Sequence, residues 1–468
     1  VYRSVMVHHN FKSFQNILWR DNPEEELKCL QLQTVTWGLK PSAYLATRCL
    51  IELADIYKDK YPLAAAALEN NTYIDDILCG AKDIEETLSL QNELISLLTL
   101  GHFQLHKWVA NSSELLRNIP PEKCYFDNIK FDKNNNDYVK TLGIQYNVQS
   151  YCFKVYCPIN NIEEITFTKR KVLSFIAKIY DPLGFLGPII TNAKIIMQRI
   201  CCSKISWDET LPPDLYDMWK TFAEGLISMP SFKIKRDLNF AEAETTDVLG
   251  FCDASNVAHG CAIYCRVIKK DGSILTNLVC SKSRISPINE KLTIPRAELN
   301  SALLLALLIV KVHKILSRFI NNVYIFSDSR VVLSWLKLNP YKLNNYVANR
   351  VSKINELTQN FKWNYIESNQ NPSDLISRGT TPKTLANSRL WWKGPEFLTQ
   401  PHLSILMQSE IESLKNIPEV KSYVATTKAE YLPVLTKFSS LQKLHRIIAY
   451  VLRFIHNTKN KRENIMRN

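Results

Sequence analysis

The sequence lacks the features that mark several large classes of protein. No Cys-x-x-Cys pair occurs among its 12 scattered cysteines, so neither a disulfide framework nor a zinc ribbon is indicated. The longest apolar run, 302–310, is shorter than the roughly 20 residues that span a bilayer. No signal peptide opens the chain, which starts with Val1 rather than methionine. We expect a reduced, intracellular protein in a cytoplasmic particle or the nucleus, with no membrane partner, and a fragment of a longer product.

The composition is that of an ordinary globular protein with a basic surplus. The 468 residues suffice for about two to four domains, and 46% of them are hydrophobic while 22% are charged. The net charge of +13 favours a polyanionic partner such as nucleic acid, although basicity by itself is weak support. The run 169–171 is a candidate nucleic-acid contact, and a solvated charge run explains it equally well.

Two adjacent aspartates, Asp75 and Asp76, lie between short apolar segments. The segments 73–74 and 77–78 predict two strands, which places both aspartates in the tight turn of a hairpin. Two carboxylates 4 Å apart repel each other by roughly 4 kcal/mol at an effective dielectric constant of about 20. A divalent cation such as Mg²⁺ removes that cost, because it takes oxygen ligands. A solvated surface turn is the alternative interpretation.

A second group of acids stands in the C-terminal half, at the joints of a βββαβαβ pattern followed by a short helix. Asp253 ends the first strand, Asp328 follows the fourth, Glu298 lies in the first turns of a helix and Asp374 opens the last one. If the first and fourth strands are neighbours, Asp253 and Asp328 project to one rim, where the other two acids can join them. Two divalent ions about 3.5–4 Å apart would stabilise such a cluster and suit phosphodiester cleavage. The alternative is four unrelated helix caps and strand ends.

The ordered motifs resemble the reverse transcriptase–ribonuclease H part of a Pol polyprotein from LTR retrotransposons, closest to the BEL/Pao group. The matching stretches are residues 1–3, 14–20, 36–42, 73–76, 106–108, 142–144, 179–184, 251–255, 295–299, 326–329, 371–374 and 391–395. The Y-x-D-D hairpin is moderately specific, and its combination with the four acidic blocks is highly specific.

The resemblance implies a chemistry for both halves of the chain. In the polymerase part, Asp75 and Asp76 would bind Mg²⁺ or Mn²⁺, while Lys107, Gly38 and Gly143 would contact the dNTP, the RNA template or the DNA primer. In the ribonuclease H part, the four acids would hold two metal ions that cut the RNA strand of an RNA–DNA hybrid. The third polymerase carboxylate of the family would lie upstream of residue 1, and an integrase region would follow downstream.

The predicted architecture is a multidomain chain of α+β and α/β class. Its parts are a partial reverse-transcriptase palm (1–150), a helical thumb/connection (151–245), a ribonuclease H-like domain (246–385), and a helical C-terminal extension that is a linker and the start of a pre-integrase region (386–468). Two other functions stay open. One is a transposase- or exonuclease-like nuclease of the same fold, and the other is a decayed or repurposed retroelement fragment that binds nucleic acid without catalysis.

Overall fold

The computed structural model describes residues 1–125, 138–155, 167–288, 292–401, 403, 416–421, 437–438 and 440–465. Its helices are α1 (His9–Lys12), α2 (Ser42–Tyr57), α3 (Pro62–Asn70), α4 (Ile84–Leu100), α5 (Lys169–Lys178), α6 (Gly187–Cys202), α7 (Pro213–Ile227), α8 (Ile294–Leu316), α9 (Arg330–Lys337), α10 (Asn345–Leu357), α11 (Asp374–Arg378), α12 (Pro382–Ala386), α13 (Arg389–Lys393) and α14 (Leu441–Ile465). Its strands are β1 (Asn16–Trp19), β2 (Lys28–Gln31), β3 (Thr72–Tyr73), β4 (Asp76–Ile77), β5 (Tyr138–Thr141), β6 (Ile144–Asn147), β7 (Cys152–Val155), β8 (Phe232–Lys235), β9 (Ala243–Ala254), β10 (Ala258–Lys269), β11 (Ile274–Ile285), β12 (Asn322–Ser327) and β13 (Lys362–Tyr365).

The largest sheet has five strands in the order β11-β10-β9-β12-β13. Strands β9, β10 and β11 are antiparallel, whereas β12 runs parallel to both β9 and β13. The hairpin between β10 and β11 turns at Gly272, whose φ of 81° lies in the left-handed region that glycine tolerates. The expected adjacency of the first and fourth strands of this unit is confirmed by the β9–β12 pairing.

Both faces of this sheet are covered, which explains why its central strand is apolar almost throughout. Val248 and Cys252 of β9 face α8, together with Leu305 and Ile309 of that helix. Phe251 faces the other side, where the core continues into α5, α6 and α7. A strand that is buried on both faces favours a continuous apolar run over an alternating one.

Residues 179–184 lie between α5 and α6 and pack against the five-stranded sheet. The Asp181 carboxylate accepts hydrogen bonds from the backbone N–H groups of Phe185 (2.9 Å) and Leu186 (2.6 Å), just before α6. Burial raises the pKa of Asp181 to about 6. Gly184 has a φ of 77°, and a Cβ there would overlap the carbonyl oxygen of Ser281 on β11. Residues 179–184, one of the stretches that resemble the family, therefore form a tightly packed joint between α6 and β11.

Residues 389–401 also pack against the sheet, although they fall in the segment predicted as a linker. Trp391 is fully buried, and its indole N–H donates to the carbonyl oxygen of Phe185 at 2.8 Å. The buried Arg266 forms an ion pair with Asp247 at 2.8 Å and donates to the carbonyl oxygen of Leu398 at the same distance. The packed unit thus extends past 385, and the predicted domain limits stay a prediction.

Near the N-terminus, helices α2, α3 and α4 share a separate apolar core. The apolar spacing over 84–100 predicts a helix that ends at Gly101, and the structure confirms it, with Asp83 capping its first turn. The sequence also predicts a short strand over 103–108, which is wrong: Lys107 has a φ of 58°, which breaks an extended run, and Trp108 makes an isolated bridge to Cys124.

One helix in the described part of the chain is long and apolar enough to cross a membrane, by length and composition alone. It is α8, Ile294–Leu316. This helix packs along the five-stranded sheet, and nine of its residues are buried there. Its apolar character is accounted for by its place in the core.

Candidate active site

Asp253 and Asp328 lie at the same rim of the five-stranded sheet. The parallel register pairs Phe326 with Phe251 and Ser327 with Cys252, so Asp253 and Asp328 each follow the last position that is paired between β9 and β12. Asp253 is buried and Asp328 is half-buried. The register by itself therefore brings two carboxylates to neighbouring strand ends.

Glu298 and Asp374 reach this rim from helices on opposite faces of the sheet. Glu298 lies in the first turns of α8 and accepts a hydrogen bond from the Ser329 hydroxyl, one residue after Asp328. Asp374 begins α11, and the turn before it is docked on β9: Asn371 donates to the carbonyl oxygen of Cys252 at 3.0 Å, and Ser373 donates to that of Phe251 at 2.9 Å. These two amide and hydroxyl contacts place Asp374 beside the end of β9.

Burial and the neighbouring charges raise the pKa values of three of these acids. The pKa of Asp253 rises to about 7, chiefly because the group is buried and further because Asp328 and Asp374 lie nearby. Burial also raises the pKa of Asp328, with Asp374 adding to the effect. The pKa of Glu298 rises through burial and through Asp328. Each of these three acids responds to another member of the set, and the charge of Asp374 acts on two of them.

The side chains that hold these carboxylates were not predicted from the sequence. Ser377 donates to Asp253 Oδ2, Ser329 donates to Glu298 Oε2, Ser368 donates to Asp328 Oδ2 at 2.8 Å, and Arg378 donates to Asp374 Oδ1 at 2.7 Å. Serine is common in loops and helix caps, so no spacing in the sequence distinguishes these three. Arg378 follows Asp374 by four residues on α11, a spacing that does predict a contact.

One oxygen of this group has no partner in the described structure. Asp328 Oδ1 is buried and receives no hydrogen bond. A buried carboxylate oxygen without a donor is costly unless a ligand satisfies it. Four carboxylates are a donor set that suits a hard divalent cation such as Mg²⁺. As the side chains stand, no three His, Cys, Asp or Glu residues within the described ranges are arranged to hold a metal ion.

The hairpin aspartates lie elsewhere, on the surface of the N-terminal part. Tyr73 pairs with Asp76, so the two residues at the tip are Ile74 and Asp75, and Asp76 belongs to β4. The turn is thus one residue earlier than predicted, because the pairing continues outward through a hydrogen bond from Leu78 N to Asn71 O at 2.9 Å. Both carboxylates are exposed.

The three residues predicted to contact nucleotide or primer are spread over separate loops. Lys107 is exposed in a loop, and Gly38 sits in the turn before α2 with a φ of 87° and open space around it. Gly143, with a φ of 83°, forms the β5–β6 turn, where a Cβ would overlap the Tyr180 ring. Gly143 therefore touches the joint formed by residues 179–184.

Comparison with protein families identifies the central part of the chain. Residues 168–329, about a third of the sequence, match the family described as the Pao retrotransposon-like RNaseH-like domain. The match starts at α5 and ends just after Asp328, so it takes in Asp253, Glu298 and Asp328. It confirms the resemblance to a Pao-type retrotransposon Pol protein. A search of curated protein sequences found no match.

Solved structures that resemble the chain are remote in sequence. A foamy viral protease–reverse transcriptase in complex with an RNA/DNA hybrid is 12% identical with a TM-score of 0.43, covering 78% of this chain and 43% of its own. The N-terminal RNase H domain of a Mycobacterium tuberculosis protein is 12% identical with a TM-score of 0.20, covering 28% of this chain and 94% of its own. RNase H1 of Halobacterium salinarum is 11% identical with a TM-score of 0.19, covering 28% and 90%. The chain spans less than half of the foamy viral protein.

Proposed function

We propose that this Pao-type Pol segment cuts the RNA strand of RNA–DNA hybrids with the help of divalent metal ions. The observation that carries the proposal is the convergence of Asp253, Glu298, Asp328 and Asp374 on one rim of an RNase H-like sheet, with Asp328 Oδ1 buried and unpartnered. The family match over 168–329 agrees with this chemistry.

The four carboxylates would hold Mg²⁺ or Mn²⁺ through their oxygens. Bound there, the ions would polarise the scissile phosphate and lower the pKa of a bound water to supply the nucleophile. The protein's part is to keep four acids together at the sheet edge against their mutual repulsion, and burial of Asp253 and Asp328 keeps bulk water from screening them. Selection of the RNA strand would follow from its 2′-hydroxyl groups and the shape of the minor groove.

The test is cleavage of a labelled RNA–DNA hybrid by the full chain in Mg²⁺ or Mn²⁺. Asp328→Asn removes one anionic ligand and should abolish cutting. Glu356→Gln is the matched control, because Glu356 is an exposed carboxylate on α10 that forms an ion pair with Lys353, and cleavage should be unchanged. If the wild-type chain binds hybrid yet cuts it with neither metal, the alternative of a fragment that only binds nucleic acid stands.

The polymerase-like part supports a weaker expectation. The β3–β4 hairpin forms, with Asp75 at its tip and Asp76 next to it on β4, so two adjacent carboxylates stand exposed to a metal ion and its dNTP. The third carboxylate of such a site has no counterpart on this hairpin. We therefore propose an RNA-directed polymerase ancestry with little or no primer extension by this chain. Robust processive extension of a DNA primer on an RNA template would contradict this.

A further inference from the structure

Three of the four clustered carboxylates each receive a hydrogen bond from a different serine hydroxyl. The pairs are Ser377 with Asp253, Ser329 with Glu298, and Ser368 with Asp328. We propose that these serines are positioning residues for metal binding: each holds one carboxylate oxygen and leaves the other oxygen of that group to a divalent cation. The inference rests on the metal site of the proposed function.

Ser377 makes the most extensive of the three contacts. It is fully buried on α11, three residues after Asp374, and its hydroxyl donates to Asp253 Oδ2. Its carbonyl oxygen accepts a hydrogen bond from the Ser255 hydroxyl at 2.6 Å, in the turn between β9 and β10. Ser377 therefore links one acid of the site to the helix that carries another, and it fixes their relative position.

The Ser368 contact distinguishes the two oxygens of the Asp328 carboxylate. Its hydroxyl donates to Asp328 Oδ2 at 2.8 Å, whereas Asp328 Oδ1 is buried and has no partner within the described residues. Ser368 itself is exposed, in the short turn Ser368–Gln370 that follows β13. The oxygen that points inward is thus the one left for a ligand.

Ser329 combines the same contact with a helix cap. Its hydroxyl donates to Glu298 Oε2 and accepts from the backbone N–H of Val332 at 3.2 Å, at the start of α9. This ties Glu298 of α8 to the chain segment that carries Asp328. Because Ser329 has two roles, its replacement would disturb α9 as well, and the other two serines give the cleaner test.

A neutral hydroxyl suits this task better than a charged donor. It orients a carboxylate without cancelling the negative charge that attracts a cation, and a pre-oriented ligand pays less to reorganise when the cation binds. Arg378 shows the contrast, because its guanidinium forms an ion pair with Asp374 at 2.7 Å and must compete with any cation there. The serines therefore orient three acids while leaving their charge intact.

The experiment measures Mn²⁺ and Mg²⁺ affinity of the full chain directly, by the electron paramagnetic resonance signal of free Mn²⁺ and by its displacement with Mg²⁺. Loss of a partner that orients a metal ligand typically weakens binding about 10- to 100-fold. We expect that range for Ser377→Ala and its lower end for Ser368→Ala. Ser368→Thr, which keeps the hydroxyl at an exposed position, should bind as the wild type does.

Thr276→Val is the control for the loss of a buried hydroxyl. Thr276 is buried on β11, and its hydroxyl donates to the backbone carbonyl of Lys393 at 2.8 Å rather than to a carboxylate. The change should lower the melting temperature while keeping metal affinity near that of the wild type. An equal loss of affinity in Thr276→Val would show that lower stability, and not the carboxylate contact, is responsible, which overturns the inference.

The outcomes separate this inference from the proposed function. If the wild type binds Mn²⁺ and both Ser377→Ala and Ser368→Ala bind it equally well, the positioning role is overturned while the metal site stands. If the wild type binds neither ion, both are overturned. Should Ser377→Ala fail to fold, the exposed Ser368 pair of variants decides the question, because neither change touches the core.

Discussion

The chain carries two sets of acids that differ in how the protein surrounds them. Asp75 and Asp76 stand exposed at the end of a two-stranded hairpin, and within the described structure neither accepts a hydrogen bond or pairs with a cation. Asp253 and Asp328 lie at the edge of a five-stranded sheet that is covered on both faces, and each is held by a serine. Water screens the repulsion between Asp75 and Asp76, whereas the repulsion between Asp253 and Asp328 acts through the protein interior.

The difference shows which part of the fold can hold several carboxylates close together. At a water-exposed hairpin tip, solvent screens the repulsion and no helix or strand holds the carboxylates. At the sheet rim, burial raises the pKa values of Asp253, Asp328 and Glu298, and only a well-packed unit can bear that cost. The order and packing of the second set are therefore stronger support for a working site than the motif of the first.

The largest change is expected in hybrid cleavage, which should depend on the acids at the sheet rim and not on the hairpin aspartates. Asp253→Asn should lower hybrid cleavage by about 10³-fold or more, because it removes a carboxylate from a site where the metal contributes several kcal/mol. The double change of Asp75 and Asp76 to asparagine should leave cleavage unchanged. The measurement is the single-turnover cleavage rate of a hybrid substrate. Loss of cleavage in the hairpin variant would show that the two regions act together.

A second comparison contrasts a buried with an exposed ion pair. Arg266→Ala leaves Asp247 without its cation in the core of the five-stranded sheet, where both side chains are at most 5% exposed, and should cost about 3–5 kcal/mol. Arg48→Ala removes the exposed ion pairs with Glu52 and Asp55 on α2 and should cost less than about 1 kcal/mol. Calorimetric unfolding gives both values. Similar losses would show that the interior of the sheet is as loosely packed as the surface of α2.

Two glycines test the tightness of the backbone in the two regions. Gly184→Ala places a Cβ against the Ser281 carbonyl at a φ of 77° and should lower the free energy of unfolding by about 3 kcal/mol, from overpacking and backbone strain. Gly80→Ala, after the hairpin, meets open space and should change stability by less than about 0.5 kcal/mol. Chemical denaturation of each variant measures the difference. If Gly184→Ala left the free energy of unfolding unchanged, the backbone of residues 179–184 would be able to move away from the contact.

The smallest expected effect is a pH dependence. The pKa of Asp253 is about 7 in the folded chain and near its usual value when unfolded, so between about pH 4 and 7 the folded state binds the extra proton. Metal-free stability should therefore fall as the pH rises through this window, by at least about 1 kcal/mol.

Melting temperatures at pH 5 and pH 7.5 check this prediction. Asp253→Asn should flatten the difference, and Asp75→Asn should keep it. Mg²⁺ should restore stability at pH 7.5 and bind more weakly below pH 7, because a proton on Asp253 competes with it. An identical pH dependence in wild type and Asp253→Asn would rule out this carboxyl as the source.

Much of the fold followed from periodicity in the sequence. The helices around 84–100 and 294–316 and the strand Asn322–Ser327 were predictable because their apolar spacing and end signals agree. The failures are local. The strand predicted over 103–108 does not form, because Lys107 within it is left-handed. The hairpin tip lies one residue earlier than predicted, in a register that extends to a hydrogen bond from Leu78 to Asn71.

The four acids of the site could be predicted from the sequence, whereas the side chains that donate hydrogen bonds to them could not. Strand ends and helix starts point to the same four residues, since side chains there emerge at an edge. A serine that donates to a carboxylate leaves no trace in spacing, since Ser377 and Asp253 are 124 residues apart. The packing of residues 389–401 on the sheet was equally invisible, because Trp391 and Arg266 meet their partners only across the folded core.

By itself, the sequence determined the kind of chemistry: oxygen ligands at the joints of an α/β pattern, a basic surplus, and a Pao-type order of motifs. The tertiary structure decided which acids meet, which of them are buried, and which hydroxyls hold them. The physical reason is that residue type and local periodicity act over a few positions, whereas the register of β9 with β12 and the docking of α11 on β9 join residues more than seventy positions apart. Such long-range packing is what brings the carboxylates of this group to one edge of the sheet.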